Sequence, residues 1–205
     1  MGGLGGFLIR DATAADRGAV LDFWPHPDRF DRRLASSAAG DEALLVAESG
    51  SGAGLGCGSG SGARSESWSG SAVGTECAVR AGSAVGAECA VGAGCAVAGV
   101  ASLRWSGGCD DPNRPLLYAL EVRPELRGRG AGTALIRSCA GRAAGRGFAE
   151  ITLEVEVGNA GAIRLYRRLG FVTVGPHRHI WHAGKVTGGT DVLIMRGRSG
   201  QIAAG

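Results

Sequence analysis

The chain has 205 residues, 44% hydrophobic and 20% charged, which suits one globular domain of ~150 residues with material to spare. A formal net charge of +3 at pH 7 is too mild to point to nucleic acid, and no apolar run of about 18 residues offers a membrane span. The opening "MGGLGGFLIRDAT" has neither the basic start nor the long apolar stretch of an export signal. In chain order, "FLIRDATAADRGAVLDFW" predicts a short strand, then a helix opening around Thr13 with Asp16 three residues on, as in a capping box. "PDRFDRRLASSAAG" predicts a second helix stopped by Gly40, and "EALLVAES" an apolar strand.

Between 49 and 94 the composition turns to Gly, Ala and Ser, with few large apolar side chains to bury. Two twelve-residue repeats stand there, "SAVGTECAVRAG" (71–82) and "SAVGAECAVGAG" (83–94), identical at ten of twelve positions. Two copies made mostly of alanine and glycine bury too little surface for a solenoid. The segment reads as a flexible low-complexity insertion in the turn between the second and third strands. Extra strand pairing by the two "ECAV" pieces is the alternative.

Beyond it, "VAGVASLRW" predicts a strand, "SGGCDDPNRP" a turn, and "LLYALEV" a further strand. "GTALIRSCAGRAAGRG" is an amphipathic helix with Leu135, Ile136, Cys139 and Ala143 facing in and Arg137, Arg142 and Arg146 facing out. "EITLEVEV" alternates, with Ile151, Leu153, Val155 and Val157 on one face and Thr152, Glu154 and Glu156 on the other. "NAGAIRLYRRLG" is a helix capped by Asn159 and stopped by Gly170, and "FVTVG" and "TDVLIMRG" are strands around a His- and Trp-rich loop. The six cysteines (57, 77, 89, 95, 109, 139) form no C-x-x-C pair and have no histidines at zinc spacing, so they read as free thiols of a cytoplasmic protein, with no metal site.

The chemistry-bearing feature is "RGRGAGT", a loop with Gly128, Gly130 and Gly132 that feeds a helix. Glycine lets the backbone approach a ligand closely, and free N–H groups at a helix start converge on one spot. Arg127 and Arg129 add positive charge, so the loop predicts an anion seat. No Gly-Lys-Ser/Thr follows, so it is not a Walker A loop, and it fits the dinucleotide fingerprint poorly.

The stretch "VRPELRGRGAGTAL" resembles the acetyl-CoA-binding signature of the GNAT acetyltransferases, Arg/Gln-x-x-Gly-x-Gly/Ala, through Arg127, Gly130 and Gly132. A second block, "LEVEVGNAGAIRLYRRLGF" (153–171), resembles a later segment of the family, close to its form in bacterial enzymes that acetylate the amino terminus of a ribosomal protein. The resemblance implies an α/β fold over residues 7–198, a mixed seven-stranded twisted sheet with helices on both faces, and flexible termini at 1–6 and 199–205. It implies that acetyl-CoA seats its pyrophosphate on the amides of Gly128, Arg129, Gly130, Ala131, Gly132 and Thr133. The pantetheine arm would run between splayed parallel strands, "LLYALEV" and "EITLEVEV", pairing with the backbone of Leu120, Glu121 and Val122.

By position, Tyr166 matches the tyrosine that protonates the coenzyme A sulfur, Asn159 a residue that contacts the cofactor, and Glu154 the catalytic base. The N–H near Val122 would polarise the thioester carbonyl. The residues themselves leave alternatives: Tyr166 as a core side chain, Glu154 as a solvated charge, Glu121 as a competing carboxylate, Asn159 as a plain cap. The implied activity is N-acetylation of a primary amine, a protein N-terminus or a small molecule, by direct attack in a ternary complex of a monomer or homodimer. An α-amine is the easier nucleophile, about a tenth neutral at pH 7 against ~0.04% for lysine. A non-catalytic acetyl-CoA-binding module is the other reading; it has no need of Tyr166.

Overall fold

The computed structural model describes residues 6–49, 96–183 and 186–205; the repeats and the "ECAV" pieces lie outside them. The described chain forms strands β1 (Phe7–Asp11), β2 (Glu42–Ser49), β3 (Val97–Arg104), β4 (Leu116–Val122), β5 (Glu150–Glu156), β6 (Val172–Ala183) and β7 (Val186–Arg198). Helices α1 (Arg17–Leu21), α2 (Pro27–Ala39), α3 (Ala131–Gly145), α4 (Ala160–Arg168) and α5 (Ser199–Ala204) complete it. One mixed sheet has the order β1-β2-β3-β4-β5-β7-β6, and only the β4–β5 join is parallel.

Alternation along β2 explains the layers. Ala43, Leu45 and Ala47 join the cluster under α3, while Leu44 and Val46 join Val20, Trp24 and Phe30 of the α1–α2 side. A central strand covered on both faces needs apolar residues at successive positions, which "ALLVA" supplies. On α3, Leu135, Ile136, Cys139 and Ala143 are fully buried, as the helical period predicts. Each of the two large aliphatic side chains contributes about 1.5–3 kcal/mol by leaving water. The start of the first helix is fastened by Asp16, 3% exposed, which accepts from the Thr13 amide at 2.7 Å and from two Arg10 nitrogens at 2.8 and 2.6 Å.

Two expectations are corrected. The His- and Trp-rich segment expected as a loop is strand: β6 and β7 pair continuously from Pro176↔Leu193 to Ala183↔Val186. Pro176 hid this in the sequence, yet β6 is an edge strand, where a proline's missing donor can face away from the ladder. The terminus expected to be flexible from 199 on is helix α5. Ile202, 1% exposed, joins the cluster of α3 and Phe171, over Gly197, where a Cβ would come within 2.5 Å of its side chain.

What positions the site is the β4–β5 seam. The strands pair only at Leu116↔Thr152 and Leu117↔Leu153, then part while both continue. Just past the last rung sits Ala119 with φ 50°, the only non-glycine at positive φ among the described residues. The β3–β4 register also shifts there, between Val100 and Ser102. Such a bulge bends the strand and re-aims its side chains.

Candidate functional site

The splay opens onto the glycine loop. Gly128 and Gly130 hold φ of 75° and 97°, a region that glycine enters without a Cβ penalty. Gly130 is the N-cap of α3, and the first helical bond is Ala134 N–H to the Gly130 carbonyl at 2.9 Å. The amides of Ala131, Gly132 and Thr133 therefore lack helical partners at the positive end of a fifteen-residue helix. Arg127 Nε donates to the Val122 carbonyl at 3.1 Å and ties the loop to the end of β4.

A groove of about 620 Å³ runs from this loop along the splay to α4. Its walls include Leu120, Glu121 and Val122 from β4, Arg127, Gly128, Gly130, Ala131, Gly132 and Thr133 from the loop and helix start, and Asn159 and Tyr166 from the second block. Of the residues the sequence assigned to acetyl-CoA, only Arg129 is not on the groove wall. Asn159 caps α4, its Oδ1 accepting from the Ala162 amide at 3.1 Å. Arg164 and Arg168, one helical turn apart on α4, also line the groove and were not singled out by sequence. Their (i, i+4) spacing carried the signal.

Tyr166 lies 8% exposed, its ring edge-on to Phe171 with centroids 5.7 Å apart. Burial, with the charge of Glu121 second, pushes its hydroxyl up to about 12, so it stays a phenol through the neutral range. Core residue and groove residue are thus the same side chain.

Glu154 is not on the groove wall. It is half-buried on the opposite face of β5 from Ile151, Leu153 and Val155. It lies one residue past the last β4–β5 rung, Leu117↔Leu153, where the two strands begin to part. Its Oε2 lies 3.0 Å from His179 Nδ1 and its Oε1 3.9 Å from His177 Nε2, both from the corrected strand β6. The sequence reading left those histidines in a loop and did not pair them with Glu154. Cys109 stands beside the same carboxylate; burial first, then that contact, pushes its thiol up to about 12. Among the described residues, no three of His, Cys, Asp and Glu gather in a metal-binding arrangement, and no helix is long and apolar enough to cross a membrane.

The comparisons with known proteins agree with this architecture. A model of the acetyltransferase (GNAT) family matches residues 21–171. Streptothricin acetyltransferase of Streptomyces lavendulae is 37% identical over 98 residues, covering 48% of this chain and 50% of that protein. Mycothiol acetyltransferase of Kocuria rhizophila is 38% identical over 76 residues, 35% of this chain and 25% of that one. The chain thus spans half or less of the length of these relatives. Among solved structures, ribosomal-protein-alanine N-acetyltransferase from Brucella melitensis superposes with TM-score 0.58 at 20% identity, over 93% of this chain and 99% of that one. A GNAT acetyltransferase from Elizabethkingia anophelis with acetyl-CoA bound does so with TM-score 0.52 at 12% identity, over 94% and 98%. Glycine loop, splayed strands, seven-stranded order and family match converge: the chain belongs to the GNAT acetyltransferase family.

Proposed function

We propose that this protein moves an acetyl group from acetyl-CoA to a primary amine, by direct attack of the amine on the thioester while both are bound. The observation that carries the reading is the groove, which joins an anion seat of unpartnered amides to a buried tyrosine hydroxyl along an unpaired strand edge. The residues fit acetyl-CoA: glycines at positive φ let phosphate oxygens reach the backbone, and β4 beyond Leu117 offers its edge to the pantetheine amides. Bound there, acetyl-CoA supplies an activated acyl group and a thiol leaving group.

The chain's own residues divide the remaining work. The N–H near Val122 polarises the carbonyl oxygen as its charge grows. Tyr166 gives its proton to the departing sulfur as the C–N bond forms and the C–S bond breaks, and the proton that the nitrogen sheds on becoming an amide restores the phenol. Glu154 takes the proton of the incoming ammonium through water, with His179 and His177 orienting the carboxylate. Glu121 is a second reading for the base, favoured by its place on the groove wall near the Tyr166 hydroxyl.

A pH series separates the two carboxylates. Glu154→Gln is expected to lower kcat/KM about 10-fold or more at pH 7, and raising the pH toward 9 recovers most of it. At pH 9 an α-amine of pKa ~8 has shed its own proton. The same profile in Glu121→Gln, with Glu154→Gln unaltered, transfers the role to Glu121.

A further inference from the structure

A second cavity of about 390 Å³ lies on the α2 side of the sheet, apart from the groove. Arg29, Arg32, Arg33 and Ser36 reach it from α2 at positions i, i+3, i+4 and i+7, one stripe of the helix, and Arg104 reaches it from β3. The floor is Tyr118 with Glu42, which is 5% exposed and accepts the tyrosine's hydrogen bond through Oε2. Glu42 Oε1 is buried with no partner among the described residues.

Four guanidinium groups face two carboxylates, Glu42 and the exposed Asp41. Seven other arginines, Arg10, Arg17, Arg114, Arg123, Arg142, Arg178 and Arg196, each pair with a carboxylate within 4.0 Å. None of the cavity's four does so among the described residues. Arg33 is instead held in place by aromatic faces, 4.9 Å from the Trp24 centroid and 4.3 Å from that of Tyr118, and donates to Ser102 Oγ at 3.2 Å. Arg104 lies 4.9 Å from the Tyr118 centroid. Guanidinium groups pre-positioned on rings, with their hydrogen-bonding forks unspent on carboxylates, are suited to bidentate capture of an oxyanion.

The cavity adjoins the reaction centre. Tyr118 lines it, and Leu120, two residues on along β4, lines the groove; two residues of chain span at most about 7 Å. Glu154 follows Leu153, and Tyr118 follows Leu117, the residues of the last rung between the two strands. We infer that this cavity is the acceptor's anion subsite, so that the preferred acceptor carries a carboxylate or phosphonate a short chain away from its primary amine. This rests on the acetyl-transfer reading. An acceptor with its oxyanion on Arg29, Arg32 and Arg104 directs its amine past Glu154 toward the thioester.

The test is a thiol-release assay with acetyl-CoA and matched acceptors: propylamine, β-alanine, and 2-aminoethyl- and 3-aminopropylphosphonate. The oxyanion-bearing amines are expected to exceed propylamine in kcat/KM by about 10²-fold, as for a charge-assisted bidentate contact. In Arg32→Gln/Arg104→Gln the preference falls to within a few-fold. Arg146→Gln/Arg167→Gln removes the same charge elsewhere and keeps it. The carboxylate and phosphonate arms report which oxyanion the subsite prefers. Equal kcat/KM for propylamine and every oxyanion-bearing amine, with acetyl transfer intact, overturns the subsite and leaves the activity standing. Should no amine be acetylated, the activity fails instead. Calorimetric titration of 3-aminopropylphosphonate then judges the subsite: binding lost in Arg32→Gln/Arg104→Gln supports it, and no binding by the unaltered protein overturns it.

Discussion

Tyr166→Phe is expected to lower kcat by 10²-fold or more while the affinity for acetyl-CoA, measured by calorimetry, stays within a few-fold. The phenyl ring keeps the edge-on contact with Phe171 at 5.7 Å and the packing that leaves the residue 8% exposed. Only the hydroxyl proposed as proton donor is gone, and a positioned general acid contributes ~10²–10⁴-fold. Because burial pushes the hydroxyl up to about 12, the proton is present at every pH at which the enzyme is assayed. The loss is therefore expected at pH 7 and pH 9 alike, in contrast to Glu154→Gln, whose defect recedes as the amine deprotonates itself. A Tyr166→Phe protein with unchanged kcat would place the proton source in water. It would return Tyr166 to the core role that its position between Ile163 and Leu169 also allows.

Gly130→Asp is expected to weaken acetyl-CoA binding by at least 10²-fold while the protein stays folded. A Cβ at this position meets nothing within 4 Å, so packing is not disturbed. The φ of 97° strains any L-residue, at a cost of roughly 1–2 kcal/mol. That is small against the ~5–15 kcal/mol that holds a typical domain. The larger effect is the carboxylate placed at the mouth of the free amides. About 5 Å from a phosphate charge, at an effective dielectric constant of ~20, it costs ~3 kcal/mol, or somewhat more than 10²-fold in affinity. Gly130→Ala shares the strain without the charge and is expected to lose far less. Equal losses in the two variants would assign the defect to backbone geometry alone.

The parts of this molecule legible in its sequence are those fixed by local periodicity. Helix α3 declared itself through Leu135, Ile136, Cys139 and Ala143, strand β5 through strict alternation, and α4 through its Asn159 cap and Gly170 stop. The groove was legible because most of its wall comes from two contiguous blocks, 120–133 and 159–168. What stayed hidden is non-local. His179 reaches Glu154 because the sheet order β5-β7-β6 sets the edge strand two places from β5, and Pro176 disguised that strand as a loop. Helix α5 hid behind "SGQIAAG", whose one large apolar residue, Ile202, gains its burial from Gly197 and Phe171 on other elements. The arginine stripe of α2 was in plain sight, yet charges on a helix read as a solvated face until β2, β3 and β4 supply the opposite wall.

The two-rung seam between β4 and β5 makes this sheet mechanically two sheets, β1–β4 and β5–β7, whose internal joins have five or more register pairs each. Helix α3 touches β1 through β5 and acts as the backing that keeps the halves together. Local opening starts where cooperative units share the fewest bonds, so fluctuation is expected to concentrate along the line that the groove follows. A molecule lying in that groove and bonding to both edges would stand in for the missing rungs. Such a ligand stabilises the native state by RT ln(1 + [L]/Kd), about 2.7 kcal/mol at a hundredfold excess over Kd. The rigidity of this protein would then be set partly by how much acetyl donor surrounds it.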